Sequence, residues 1–520
     1  VKAAVFNEHW NTYGGGEQFA GGIAEALAAE HDVDLLAREE FDVDLVQSRL
    51  GLDLSKTTPR IVSERPHEFV RQTADYDLLV NCSFNSNAPN GARHGLYVVH
   101  FPARLDRPLT RFQQTVIEGG ARLVGISDLS VEFAEGVHPL EVDGRSRWTE
   151  AEATIELFVP AGTRAPLRFT LDALHWPVGS DPRVRVALHG NVVLDQVIAR
   201  ESPVDVDVTV EGRGELDPVV LTVESDAFCP QDAFGVADPR ELGILVRDFS
   251  LGNTRVPVPP SWRETLSRRK RPLRFLDSYD TIASNSGYTR HWVQRWWQRD
   301  SEVLYPPVKL RKRGAKEPVI LGVGRFFDSH GGHSKKQLEL VRAFRSLHQR
   351  THDSWTLHLI GGCAPDGRAY LDEVRRASIG LPVRFHVNAS GQDVDELFAK
   401  AGIFWHATGF GESEQRHPDR FEHFGISVVE AMSAGAVPVV FGKAGPAEIV
   451  RNGVSGVLFS TRQALVDATW ELIRNPHRIE SMSRHAAERA AEFGFDRFRE
   501  SLHRMVERMV SARSGSERAT

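Results

Sequence analysis

Four side chains of this 520-residue chain have the types and spacing for one chemistry: Arg325, Lys335, Glu422 and Glu430. Arg325 closes Ile320-Leu-Gly-Val-Gly324-Arg325, an apolar strand ending in a glycine turn, and Lys335 follows where a helix begins. Two cations fixed at that edge suit a diphosphate, because neutralising its charge makes it a better leaving group, with no metal required. Glu422 and Glu430 form a Glu-x7-Glu pair in Arg420-Phe-Glu422-His-Phe424-Gly425-Ile426-Ser-Val-Val-Glu430. A short helix over 427–434, opened by glycine and serine, leaves its first N–H groups able to face a ligand. Glu422 in the preceding loop and Glu430 one turn into the helix can then reach opposite ends of one nucleotide sugar. Arg325 and Lys335 alone would read as ordinary surface charges. The glutamates change that.

The positioning elements alternate strand and helix at both ends of the chain. Residues 1–6 read as a strand, 18–29 as a helix carrying Phe19, Ile23 and Leu27 on one face, and 33–36, 78–81 and 96–100 as further buried strands. Between 153 and 251 the periodicity changes to two, with runs at 155–159, 167–171, 184–188, 206–210, 219–223 and 242–246, which predicts an all-β sandwich inserted in the first domain. Tyr305-Pro306-Pro307-Val308 marks a stiff linker to a second α/β domain. The expected division is 1–138, the insertion 139–255, a return to the first domain over 256–307, a second domain over 308–495, a helix over 496–512 and a disordered tail over 513–520. Two parallel sheets so joined set their C-terminal edges across a cleft, where such sheets bind ligands.

Composition narrows the class. With 41% hydrophobic and 26% charged residues the chain can bury ample core, and a formal net charge of −7 gives no global attraction to nucleic acid. Cys82, Cys229 and Cys363 are scattered, which fits a reducing compartment better than a disulfide framework or a zinc site. No apolar run approaches the ~18 residues of a membrane span, and the start lacks a signal-peptide pattern, so a cytoplasmic protein is expected, meeting any membrane from its inner surface.

The residues so far resemble a known family. Glu-x7-Glu, Gly324-Arg325, Lys335, Glu422-His-Phe-Gly425 and Glu430-Ala-Met-Ser-Ala-Gly435-Ala-Val-Pro438-Val are similar to the retaining glycosyltransferases of family 4, which have the GT-B fold. The resemblance is strongest over 319–459, including Gly445-Pro-Ala-Glu448 and Asn452-Gly453, and extends to Gly14-Gly15-Gly16-Glu17 and Asn285-Ser286. It implies that Arg325 and Lys335 hold the diphosphate of a UDP- or GDP-sugar donor. Glu422 would contact the transferred sugar, and Glu430 the ribose. The backbone amides of Phe424, Gly425 and Ile426, with Gly15, Gly16 and Gly324, would approach donor oxygens. It further implies retention of anomeric configuration, the departing phosphate oxygen taking the acceptor's proton, with no metal or other cofactor. The acceptor would be a glycan or lipid-linked saccharide. Lys336 competes for the role of Lys335, which is preferred because it stands nine residues before Phe344.

Other signals keep two readings each. His100 resembles a position that some relatives use near the reacting sugar, and also fits a satisfied structural histidine. His406, ending a strand, reads as structural. Asp-Val-Asp begins at Asp32, Asp42, Asp205 and Asp393, a scatter that reads as composition rather than a metal motif. Trp292, Trp296 and Trp297 read as core packing before a membrane-edge helix. The basic residues Arg263, 268–271 and Arg274 are a solvated linker face or an anchor for anionic lipid. Trp148 and Trp176 are candidates for glycan stacking in the insertion, which would alternatively set oligomeric contacts. The competing functions are a GT-B nucleotide-sugar epimerase or hydrolase, which would release nucleotide without an acceptor, and a carbohydrate-binding protein without turnover. A phosphorylase would need a lysine-bound pyridoxal phosphate.

Overall fold

The structure, a computed structural model, describes residues 2–104, 129–177 except 142, 181–213, 217–234, 236, 238, 240–255 except 253, 273–327, 334–351 and 354–517. The chain packs as two compact units. Val1–Glu64, Gln72–Arg104 and Phe275–Thr520 form one, and Arg65–Arg71 with Leu105–Arg274 the other.

The first unit holds two parallel sheets. One has seven strands in the order Glu302–Val303, Thr281–Ser284, His94–Val99, Leu78–Asn81, Lys2–Phe6, Asp32–Ala37 and Thr57–Ile61. Its central strands are continuous apolar runs, the pattern of strands covered on both faces. The helix Gly15–Ala28 buries Phe19, Ile23 and Leu27 against this sheet's core and begins sooner than its apolar spacing indicates. The Glu17 carboxylate accepts the Gly14 N–H at 2.7 Å, so the glycines form a helix start rather than a long loop. The chain leaves this sheet after His94–Val99 and re-enters at Thr281–Ser284, which pairs with it directly. The antiparallel unit described below takes up Leu105–Arg274 of the chain between these two strands, together with Arg65–Arg71.

The other sheet has six strands in the order Val383–Val387, Thr356–Gly361, Glu317–Val323, Ala401–His406, Val437–Phe441 and Val457–Phe459. Trp405, Phe344 and Val439 lie in its core with the helices Gln337–Thr351 and Arg462–Arg474. Pro307 of the linker rests on the first helix, where a Cβ on Gly22 would lie 2.4 Å from its Cγ. The last helix, Phe495–Glu517, brings Phe498, Leu502, Met505 and Met509 into the core of the seven-stranded sheet. It runs past residue 512, where the sequence places a disordered tail. No proline interrupts the segment, and adding a turn to an existing helix needs no new nucleus. Trp292 and Trp297 are buried, and the Trp297 Nε1–H donates to the Ala103 carbonyl at 3.1 Å, so the tryptophan stripe is packing.

The second unit is antiparallel. Its strand order is Asn191–Val197, Arg183–Leu188, Val219–Ser225, Ser146–Phe158, Leu245–Leu251, Arg164–Asp172 and Val204–Glu211. Ser130–Val137 and Thr254–Arg255 pair at the side. Ser130–Val137 already belongs to this sheet, so the antiparallel region begins before the expected boundary at 139. Ser146–Phe158 pairs Leu245–Leu251 through its first residues and Val219–Ser225 through the rest, and Val246, Phe249 and Leu251 of the one partner share a core with Val219, Leu221 and Val223 of the other. Trp148 and Trp176 are 7% and 3% exposed, each edge-to-face on Phe228. Little of either ring is exposed, and Trp148 lines a cavity together with His175, Arg200 and Phe234. Helix residue His67 meets buried Glu156 at 2.7 Å. Arg263 and 268–271 lie outside the described residues.

Candidate functional site

The site is built at the C-terminal edge of the six-stranded sheet. Strand Glu317–Val323 runs into Gly324, where a Cβ would lie 2.3 Å from Lys335 Cγ. Only glycine leaves room for that lysine. Lys335 stands two residues before the helix Gln337–Thr351, and its Nζ reaches Glu422 Oε2 at 2.5 Å. Lys336 points elsewhere: its Nζ pairs with Glu412 Oε1 at 2.5 Å, and Arg420 reaches the other Glu412 oxygen at 3.1 Å. The two lysines are thus committed to different carboxylates. Arg325 is exposed, its guanidinium 5.6 Å from the Phe327 ring centroid. Gln337 Nε2 donates to the Gly324 and Arg325 carbonyls at 3.0 Å each, which ties the turn to the helix start.

His406, expected to be structural, ends strand Ala401–His406 with Nε2 2.9 Å from Glu422 Oε2. Sequence reading missed this contact, although a histidine at a strand's C-terminal end in such a sheet was itself a signal.

Gly425, at φ 110°, opens the helix Ile426–Ser433 in a backbone conformation that favours glycine, and no side chain caps that helix. Phe424 and Glu430 are buried and Ile426 half-buried. Glu430 sits inside the helix, its Oε1 accepting Arg311 Nε at 3.0 Å and a second guanidinium nitrogen. Arg311 also pairs with Asp395. Burial raises the Glu430 carboxyl above its ordinary range, while Arg311 pulls the other way. Arg311 was missed because it reads as one charge in a basic linker.

Residues of the seven-stranded half come to the same place. A Cβ on Gly15 would lie 3.3 Å from Ile426 Cδ1, and one on Gly16 would lie 3.6 Å from His100 Cε1. Two helix N-termini, with His100 beside one of them, therefore adjoin. Their N–H groups and dipoles favour an anion. His100 Nε2 is 2.8 Å from the Cys82 carbonyl, and burial lowers its pKa, which favours a neutral ring. Phe101 stacks on His423 with centroids 4.1 Å apart. Glu448 clamps the halves, accepting the Gly287 and Tyr288 N–H groups at 2.9 and 2.5 Å at the start of helix Gly287–Trp297.

Three of the aspartates that open Asp-Val-Asp have protein partners: Asp42 caps a helix through the Leu45 N–H, Asp205 accepts from Thr170, and Asp393 completes a capping box with Ser390.

Residues 309–492 match the family described as Glycosyl transferases group 1, a stretch that contains Arg311, Arg325, Lys335, His406, Glu422 and Glu430. These residues form a glycosyl transferases group 1 domain. The chain is 25% identical over 251 residues to a Dictyostelium discoideum protein named GDP-Man:Man(3)GlcNAc(2)-PP-Dol alpha-1,2-mannosyltransferase, covering 44% of this chain and 47% of that one. A Xenopus laevis protein of the same name is 27% identical over 185 residues, covering 32% and 35%. The chain thus spans about half the length of the first relative and a third of the second. Among solved structures, Anabaena HepE in complex with UDP resembles this chain with a TM-score of 0.52 and 13% identity, covering 98% of this chain and 100% of that one. Sucrose-phosphate synthase from Thermosynechococcus elongatus gives 0.50 and 14%, covering 98% and 99%. At such identities the likeness shows the fold, which is GT-B-like.

Proposed function

We propose that this protein is a retaining, metal-independent glycosyltransferase of family 4 that moves a hexose from a nucleoside-diphosphate sugar to a lipid-linked or free glycan. The observation carrying this reading is the meeting of Lys335 and Glu422 at 2.5 Å beside the uncapped helix Ile426–Ser433, within the matched domain. In this reading Arg325 and Lys335 take the donor diphosphate, and Glu430 takes the ribose hydroxyls through the carboxylate that Arg311 steadies. Glu422 faces the hexose and stabilises positive character at its anomeric carbon. The bond from that carbon to the phosphate oxygen breaks, the acceptor oxygen bonds on the same face, and the departing phosphate oxygen takes the acceptor's proton. Gly15, Gly16, Gly324 and the amides at 424–426 supply close N–H approach, and His100 stands at the sugar end as a neutral imidazole.

The names of the relatives favour GDP-mannose among UDP- and GDP-sugars and a diphospholipid-linked acceptor among glycans. No helix among the described residues is long and apolar enough to cross a membrane. In the proposed reaction such an acceptor is met at the membrane's inner, cytoplasmic surface. The antiparallel unit is read as a β-sandwich that sets glycan or subunit contacts.

The test is nucleotide release from UDP-, GDP- and ADP-sugars with and without a lipid-diphosphate saccharide, the product anomer being read by NMR. Acceptor-dependent release with retained configuration is expected. Acceptor-independent release would instead indicate the epimerase or hydrolase, and an inverted product would overturn the retaining reading.

A further inference from the structure

His406 has no task in the reaction as proposed, yet it is 3% exposed at the end of a strand buried along its whole length. Its Nε2 lies 2.9 Å from Glu422 Oε2, the oxygen that Lys335 Nζ approaches at 2.5 Å. Thr408 Oγ1 is 3.2 Å from the same ring nitrogen, and the buried Nδ1 has no hydrogen-bond partner among the described residues. A neutral imidazole carries one N–H. Placed on Nε2, it donates to the carboxylate; placed on Nδ1, it would leave a buried donor unsatisfied and set a lone pair against an anionic oxygen.

Lys335 and His406 differ in how firmly each is held against Glu422. Lys335 carries its ammonium on a flexible four-carbon stem, and a donor diphosphate would compete with Glu422 for it. His406 is a short side chain on a packed strand with no such competitor. Resting on the transferase reading above, we propose that His406 is a positioning residue: its Nε2–H keeps the Glu422 carboxylate turned toward the transferred sugar once Lys335 engages the donor's phosphates. Its effect then falls on turnover more than on nucleotide affinity.

The full chain is compared with His406→Phe, which keeps ring bulk without a donor, and His406→Gln, whose amide N–H can reach the same oxygen. His406→Phe is expected to lower kcat by about 10–100-fold. The affinity for GDP and UDP should stay within about threefold, and His406→Gln should recover about tenfold of the lost turnover. Equal losses in both variants, loss of nucleotide affinity in step with kcat, or wild-type turnover in His406→Phe would overturn the proposal. A second measurement does not depend on turnover or on the phenylalanine variant folding. In a chain labelled with 15N-histidine, the His406 resonance, assigned by its absence from His406→Gln, should show the Nε2–H tautomer and shift in Glu422→Gln. An Nδ1–H tautomer, or a resonance indifferent to Glu422→Gln, overturns the proposal. If the wild type turns over no sugar nucleotide while that tautomer and its coupling to Glu422 are present, the transferase reading fails and the positioning contact stands.

Discussion

Lys335 and Glu422 form a close pair of opposite charges, and such a pair in a partly dry site is sensitive to loss of either member. Replacing Arg325 or Lys335 by alanine is expected to lower turnover with donor and acceptor by about 10²-fold or more, since in the proposed reaction each removes a cation from the leaving diphosphate. Initial rates at saturating acceptor check this, and near-normal rates would remove the phosphate role. Gly324 gives a finer probe. Its missing Cβ makes room for Lys335, so Gly324→Ala is expected to weaken binding of a nucleoside diphosphate by about tenfold through a displaced lysine. Calorimetric titration measures the affinity.

Single elements carry their own expectations. The Glu448 carboxylate accepts two N–H groups at the start of helix Gly287–Trp297, where an anion also meets the positive end of the helix dipole. Glu448→Ala is expected to cost about 2 kcal/mol of stability, read as a lower midpoint in urea. Strands Thr356–Gly361 and Val383–Val387 bring His358 and His386 together, Nε2 of one 3.1 Å from Nδ1 of the other. Burial, with His386 beside it, pushes the His358 pKa down to about 4. The folded state therefore favours the neutral ring. Stability from this group is complete above the unfolded value near ~6.5 and is lost as pH falls toward 4. Thermal melts across that window should show a fall that His358→Asn reduces, and identical pH curves would exclude the pair as its source.

At the scale of the whole molecule, a ligand that binds only the folded protein stabilises it by mass action. The preferred sugar nucleotide is expected to add about 2.7 kcal/mol at a hundred times its Kd. A panel of guanosine, uridine and adenosine diphosphate sugars, ranked by melting temperature, identifies the base. Turnover should survive a chelator such as EDTA within about twofold, because in the proposed reaction two cationic side chains supply the charge that a metal would otherwise bring. Loss of activity restored by a divalent ion would contradict that.

What could be read in the sequence was whatever short-range pattern fixes. Apolar runs predicted the central strands of both parallel sheets, and alternation of period two predicted the antiparallel strands, because backbone hydrogen bonding and burial act over a few residues. Glu422, Glu430, Lys335 and Gly324 were legible because a strand end, a glycine turn and a helix start lie next to them in the chain. The tertiary structure alone decided contacts between residues far apart in sequence. Lys335 rather than Lys336 reaches Glu422, Arg311 leaves its basic stretch to hold Glu430, and His406 turns from a supposed core residue into a partner of the site. Trp148 and Trp176 pack edge-to-face on Phe228, whose position no local pattern specifies. Side-chain reach and burial depend on how sheets and helices pack, and that packing is set by the whole chain at once.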